Sequence, residues 1–416
     1  MRMRDVKHRA IAETILDRCD TLAAISELPD GILRQYLTDE HRRANQQMAD
    51  WFASAGLQTW QDAVGNQWGR LPAADEDAPR LIIGSHLDTV PYAGAYDGIL
   101  GVLLGLSLLE YFREQPALPF HLDVVGFADE EGSRFGTTLI GSQALADQFQ
   151  PAWLDIPDRN GVRMGEAMQQ FGLDPALVRE ARLDPESVLA YWEAHIEQGP
   201  VLEAQGLSLG IVTGIAGAKR ARVQVRGQAG HAGTTPMRLR RDALAGAADL
   251  IGVIERIGQQ GVSGDVATVG DVAVRPGAAN VISGQCDLQL DVRSLDDARR
   301  DAMIEKIEQQ AETLARSRRL SIEFDWYHHA PAVLCDDTVR ERLTRAVELT
   351  GTIAFPLPSG AGHDAMAVAS VAPVGMLFMR SPGGISHHPD ESVIDEDVAR
   401  AFEVLIEAVH QQAQRS

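Results

Sequence analysis

The sequence predicts an α/β protein: a mixed, mostly parallel sheet with helices on both faces, and a second, α+β domain inserted into the first. Three observations carry this. From about residue 80, short apolar β-rich runs alternate with helical periods. Near residue 214 the pattern changes to single alternation of polar and apolar residues. From about residue 331 the α/β pattern returns. A chain of 416 residues is also too long for one ordinary core. We therefore expect residues 1–213 and 329–416 to form one domain and 214–328 the other.

Taken in order, residues 10–27 and 38–55 have helical periodicity. Residues 80–86 read as a strand, 98–115 as a strongly apolar helix, 120–127 as a strand and 141–148 as a short helix. Such alternation is the signal of βαβ units. Residues 151–186 read as an irregular helical insertion. In the second domain, 220–226 alternates as a half-buried strand does. A helix over 241–257, strands over 266–274 and 281–293, a charged helix over 296–316 and a strand over 320–327 follow. That βαββαβ order fits a ferredoxin-like domain. The chain closes with a helix over 396–412. No internal repeat or low-complexity segment interrupts it.

Hydrophobic content of 45% and charged content of 23% are ordinary for a soluble globular protein. The formal net charge of -21 argues against nucleic acid or an anionic membrane as partner, since both demand basic patches. Cys19, Cys286 and Cys335 lie far apart without CxxC spacing, so neither a disulfide framework nor a thiolate metal site is implied. Free thiols, no signal-type apolar segment at the start and no run long enough to span a bilayer give a cytoplasmic expectation.

Histidines and carboxylates fall at the ends of the apolar runs. Beyond strand ends is where open α/β sheets place ligand sites. His86 ends one run, and Asp88, two residues on, shares its face and could accept the other imidazole N–H. Asp97 precedes the apolar helix, either as its N-cap or as a carboxylate bridging two cations. Asp129, Glu130 and Glu131 end another run, and three acids there are costly unless something positive faces them. One glutamate would coordinate a metal and the other take a proton from the attacking water. His195 and His387 complete the set. Each residue alone reads equally well as a structural histidine, a cap or a solvated loop. Together they make two metal sites with open positions, a two-metal hydrolase centre.

Several stretches are long enough to carry a family resemblance: GSHLDTVPYAGAYDG, DEEGSRFGTT, HIEQGPVLE, GHAGTTPM, RPGAANVISG, DVRS, SGAGHDAM and GGISHHPDES. In these the chain resembles the amidase and carbamoylase branch of the aminoacylase/carboxypeptidase superfamily of dinuclear metallohydrolases. Within it, the resemblance is greatest to bacterial allantoate amidohydrolases. Enzymes cleaving N-carbamoyl-L-amino acids, ureidoglycolate or β-ureidopropionate are close relatives. The resemblance spans nearly the whole chain and implies a zinc-exopeptidase-like fold.

It further implies that His86, Asp97 and His195 hold one divalent metal, and that Asp97, Glu131 and His387 hold the other, with Asp97 bridging. Zinc, manganese and cobalt all suit such ligands. Glu130 would be the general base, and Asp88 a supporting residue. His231, on the inserted domain, would reach the active site of a partner subunit in a homodimer. Asn280 and Arg293 would hold a substrate carboxylate, with Gln198 and Gly360 nearby. The cations of the stretch Gly217-Ala218-Lys219-Arg220 would favour a polar ureido substrate, with Arg220 contacting it. The residues themselves leave bland alternatives open: a surface salt bridge for Arg293, turn packing for His231 and a plain turn at Gly360. The implied activity is hydrolysis of a ureido or carbamoyl C–N bond beside a carboxylate, with allantoate leading and an N-carbamoyl-L-amino acid second. An aminopeptidase or aminoacylase would need an apolar side-chain site, and a silent binding protein would lack a ligand or the base.

Overall fold

The computed structural model describes residues 2–414, with side chains from His8 onward. Two compact units share the chain. The first runs to Thr213 and resumes over Cys335–Leu357 and from His363; the second comprises Gly214–Leu334 and Pro358–Gly362. We label the principal strands β1 (Gln58–Gln61), β2 (Gln67–Leu71), β3 (Arg80–His86), β4 (His121–Phe127), β5 (Val188–Ile196), β6 (Leu209–Ile215), β7 (Gly217–Arg226), β8 (Val266–Arg275), β9 (Gln285–Ser294), β10 (Ser321–Ala330) and β11 (Val374–Met379).

In the first unit the sheet order is β1-β2-β4-β3-β5-β11-β6. The four middle strands, β4, β3, β5 and β11, run parallel, and the flanking pairs are antiparallel. Strand β4 is buried along its whole length and β3 except at its first residue, which is why both read as continuous apolar runs rather than alternations. The helix Ile99–Arg113 is apolar around almost its whole circumference and packs on β3, β4 and β5. Gly101 permits that approach, because a Cβ there would lie 2.1 Å from the Ala194 carbonyl oxygen. The chain visits β4 on one side of β3 and then β5 on the other. The order thus reverses at β3, the kind of switch point where α/β sheets open a crevice beyond their carboxyl ends.

In the second unit β7, β8, β9 and β10 form an antiparallel sheet in the order β10-β7-β9-β8. The helices Ala243–Gln259 and Asp297–Arg318 share a core with its apolar face: Ala221, Val223, Leu288 and Leu290 pack with Leu250, Ile254 and Ile307. The element order is βαββαβ. The single strand expected over 281–293 is broken. Val281–Ile282 pairs with Gly230–His231 in a separate ribbon, and β9 starts at Gln285. At the break the Ser283 and Gly284 carbonyls accept hydrogen bonds from Ala243 and Gly227 instead of a ladder. All three cysteines are free and buried. No helix among the described residues is long and apolar enough to cross a membrane.

Candidate metal centre

All four parallel strands deliver polar residues at their carboxyl ends. His86 is the last residue of β3, and His195 is the next-to-last of β5. Asp129, Glu130 and Glu131 follow β4, and Ser386 and His387 lie in the loop after β11. Asp97 enters from the loop before the apolar helix. It is not that helix's N-cap, as one reading of the sequence had it: Gly98 takes that position, with φ of 72° and no side-chain cap bond. A Cβ at Gly98 would sit 2.4 Å from the His86 ring, so the absence of a side chain there makes room for the imidazole.

Asp97 is the centre of the arrangement. Its Oδ1 lies 3.2 Å from His195 Nε2 and 3.7 Å from His86 Nε2, and its Oδ2 lies 3.1 Å from His387 Nε2. His387 Nε2 is also 3.4 Å from Glu131 Oε1. Among the described residues, three groups could each hold a cation, with ligand atoms within 4.8 Å of one another: His86, Asp97 and His195; His86, Glu130 and Glu131; Asp97, Glu131 and His387. Burial works to raise the Asp97 pKa, but the three histidines outweigh it and hold the carboxyl well below the usual range.

The histidine tautomers are set by the backbone. His86 Nδ1 faces the Asp88 carbonyl oxygen at 3.0 Å, and His195 Nδ1 faces that of Ile196 at 2.8 Å. A carbonyl only accepts, so each Nδ1 carries the hydrogen and each Nε2 offers its lone pair to the centre. The Asp88 side chain, expected as the imidazole acceptor, faces His86 Nδ1 from 3.5 Å as a charge partner, with its own backbone carbonyl the nearer acceptor. Its two carboxylate oxygens also accept the N–H groups of Glu130 (2.9 Å) and Glu131 (3.0 Å), fixing the acidic loop beneath His86.

The donor set fits divalent cations on direct grounds. Asp97 Oδ1 and His195 Nε2 are buried without a hydrogen-bond partner. Burial and the adjacent Glu131 carboxylate push Glu130 well up, and burial raises Glu131 to about 7. Orphaned buried acceptors and mutually repelling buried acids are the pattern that a bound cation relieves.

Gln198 lies in the same cluster, its Nε2 donating to Asp97 Oδ2 at 3.0 Å and to Ser386 Oγ at 3.2 Å. Two contributors escaped sequence reasoning. Glu391 is 5% exposed and accepts from the Tyr96 and Asp97 backbone amides and from Ser386 Oγ. Glu193, two residues before His195 on β5, is buried and accepts from Ser85 Oγ and the Ala365 amide. Glu391 stands four residues after His387 in a motif already singled out, and only that proximity could have signalled it.

The other predicted residues lie in the second unit. His231 Nδ1 accepts the Gly233 N–H at 3.0 Å, which leaves its proton on Nε2. Asn280 is its neighbour: Val281 pairs with His231, and the Ala232 N–H donates to the Asn280 carbonyl. Arg220, Arg293 and Gly360 also come together. Arg293 Nη1 donates to the Gly360 carbonyl, and both guanidinium groups bond Asp291. The Arg293 ion pair that the sequence left open is thus present, with a residue of the same strand. Lys219 and Arg220 do not act as a pair: strand alternation sends Lys219 to Asp301 on one face and Arg220 to Asp291 on the other.

A parallel-sheet site that gathers imidazoles and carboxylates around a shared aspartate is the arrangement of a metal-binding hydrolase. The chain belongs to the peptidase family M20/M25/M40, whose profile matches residues 82–411. It is 41% identical over 404 residues to an N-carbamoyl-L-amino acid amidohydrolase of Geobacillus stearothermophilus, covering 97% of this chain and 98% of that one. It is 37% identical over 425 residues to allantoate deiminase 1 of Glycine max, covering 95% and 88%. A crystal structure of a hydantoinase/carbamoylase-family amidase from Burkholderia multivorans superposes with a TM-score of 0.91 at 32% identity, covering 97% and 98% of the two chains.

Proposed function

We propose that the protein hydrolyses a ureido or carbamoyl C–N bond beside a carboxylate, with allantoate as the leading substrate. The observation that carries the reading is Asp97, with one carboxylate oxygen toward His86 and His195 and the other toward His387. In this reading His86, Asp97 and His195 hold one divalent ion, and Asp97, Glu131 and His387 the other. Zinc and manganese suit the ligands, as does cobalt. The ions would polarise the ureido carbonyl and favour deprotonation of the attacking water. Glu130 takes that proton and returns it to the leaving nitrogen, a task that suits a carboxyl raised by burial. His231 donates its Nε2 hydrogen to the oxygen where negative charge develops. Arg293 and Asn280 hold the substrate carboxylate, with Gly360 beside Arg293, Arg220 favours the polar ureido group, and Gln198 acts at the metal cluster.

An N-carbamoyl-L-amino acid is the second reading, favoured by the 41% identity to the Geobacillus relative. The preference for allantoate rests on Arg220 joining Arg293 at one carboxylate, a cationic setting for a polar ureido acid. We further infer a homodimer in which His231 serves the partner's centre. Support comes from edge strand β8, which exposes Val266 (46%) and Val272 (41%). A cytoplasmic location is inferred from three unpaired thiols.

The test is turnover by metal-loaded enzyme of allantoate, ureidoglycolate and N-carbamoyl-L-amino acids, read as ammonia and CO2, and of N-acetyl amino acids, read as acetate. Turnover of the ureido acids with none of the N-acetyl compounds is expected. Turnover confined to N-acetyl compounds would replace this reading with an aminoacylase.

A further inference from the structure

One face of the second unit's sheet carries a charge arrangement that the reaction outlined above leaves unexplained. Arg220 and Asp291 are cross-strand partners on β7 and β9, and Arg293 follows Asp291 by two residues on the same strand. All three therefore project from one face, opposite the apolar side chains Ala221, Leu290 and Val292 that pack with the helices. Asp291 binds both arginines. Its Oδ1 accepts from Arg293 Nε at 2.7 Å, and its Oδ2 accepts from Arg293 Nη2 at 3.0 Å and from Arg220 Nε at 2.8 Å. Burial would raise the Asp291 pKa, but the two guanidinium groups outweigh it and keep it ionised. His328, the cross-strand partner of Arg220 on β10, is lowered by burial and by Arg220, and so adds no positive charge at neutral pH.

A guanidinium has five N–H donors in a fixed planar fork. The Arg293 contacts to Asp291 and to the Gly360 carbonyl take three of them. What remains is one N–H on each terminal nitrogen, and these form the end-on edge of the fork when Gly360 takes the Nη1 hydrogen on the Cδ side. That edge fits one carboxylate with two parallel hydrogen bonds. Two guanidinium groups against one aspartate also leave a single net positive charge.

We propose that Asp291 is the specificity-determining residue of the carboxylate site. It turns Arg293 so that the end-on edge faces the ligand, and it offsets one of two cations so that the site takes one carboxylate rather than two. The inference rests on the carboxylate-clamp reading of Arg293 given above.

The test compares N-carbamoylglycine with N-carbamoylaspartate on wild type, Asp291→Asn and Asp291→Glu, all metal-loaded. Wild type should favour the glycine compound. Asp291→Asn keeps the side-chain shape and removes the charge. It should raise KM for N-carbamoylglycine about tenfold or more, the scale of a lost charge-assisted hydrogen bond, with a smaller effect on kcat. The ratio of kcat/KM for the aspartate compound over the glycine compound should rise by about tenfold. Asp291→Glu keeps the charge and should leave that ratio within about twofold of wild type, whatever it does to the rates.

An unchanged ratio in Asp291→Asn would overturn the proposal and leave Asp291 a structural ion-pair residue. So would a wild type that prefers the aspartate compound, an outcome that needs no variant to fold. Calorimetric binding of the two compounds to metal-free enzyme reads the same preference without turnover. A wild type that binds N-carbamoylglycine in preference but hydrolyses neither compound, nor allantoate, would therefore contradict the proposed function and support the role of Asp291. Equal binding of the two would contradict that role.

Discussion

Glu391 Oε1 accepts the backbone N–H groups of both Tyr96 and Asp97, at 3.0 and 3.1 Å, from 294 residues further along the chain than Asp97. Its other oxygen takes Ser386 Oγ–H, so a single carboxylate ties the loop of the bridging aspartate to the loop of His387. Glu391→Ala should loosen both ligands at once. We expect about 10–100-fold weaker metal affinity, the usual scale for losing a group that orients ligands. Metal content after dialysis against a graded chelator, read by elemental analysis, checks it. Unchanged retention would show that the loops are held without Glu391.

In the proposed reaction Glu130 moves the proton, although it also shares a possible cation group with His86 and Glu131. Glu130→Gln should keep bound metal and lose about 10²–10⁴ in kcat, the range for removing a general base. Turnover and metal content are measured on the same preparation. A variant that loses metal in parallel with activity would assign Glu130 to ligation instead.

The metal-free protein should lose stability as pH rises. Glu131 is raised to about 7 and Glu130 well above its ordinary value, chiefly by burial. His86, His195 and His387 are raised by their carboxylate partners, against burial in each case. All five hold more protons folded than unfolded, so their contribution favours folding at low pH and is lost as pH rises through the folded values. Asp97 has the opposite sign but titrates below the ordinary carboxylate range. His41 (lowered to about 4), His328 and His363 oppose the trend below their ordinary values, while the raised Asp129, Glu193 and Asp364 reinforce it. The melting temperature of metal-free enzyme should fall between about pH 5 and 7, and metal loading should flatten that slope and release protons. A metal-free melting temperature that rises across this window would contradict the assignment.

Much of this architecture was legible in the sequence, for identifiable reasons. Strand β3 and the helix after it are apolar along their length, so burial and periodicity agreed there. Strands β5 and β11 were missed although they supply half of the parallel core. Each is a buried run whose periodicity does not separate strand from helix. At the site, the side chains facing the cluster could be named from residue type and position. The groups that hold them could not. Asp88 acts on the Glu130 and Glu131 amides, and Glu391 acts across almost 300 residues, contacts that exist only once the backbone is folded.

The shared-site inference has a test of its own. His231→Ala and Glu130→Gln should each be nearly inactive as homodimers, with metal content intact. After subunit exchange, a mixed dimer would pair intact Glu130 from one chain with intact His231 from the other. Recovery of activity is expected at about a quarter of wild type when mixing is random and equal: half the dimers are mixed, each with one working site. No recovery, with exchange confirmed by mass, would place His231 in its own subunit's chemistry or in none.

Asp97 is proposed as a carboxylate shared between two ions. Anomalous diffraction at the absorption edge of the loaded metal tests this directly, on crystals equilibrated with Zn²⁺ or Mn²⁺. Two peaks are expected, both in contact with Asp97, one shared with His86 and His195 and the other with Glu131 and His387. Metal–ligand distances should be about 2.0–2.2 Å. A single fully occupied peak, or a second ion without an Asp97 oxygen, would contradict the account.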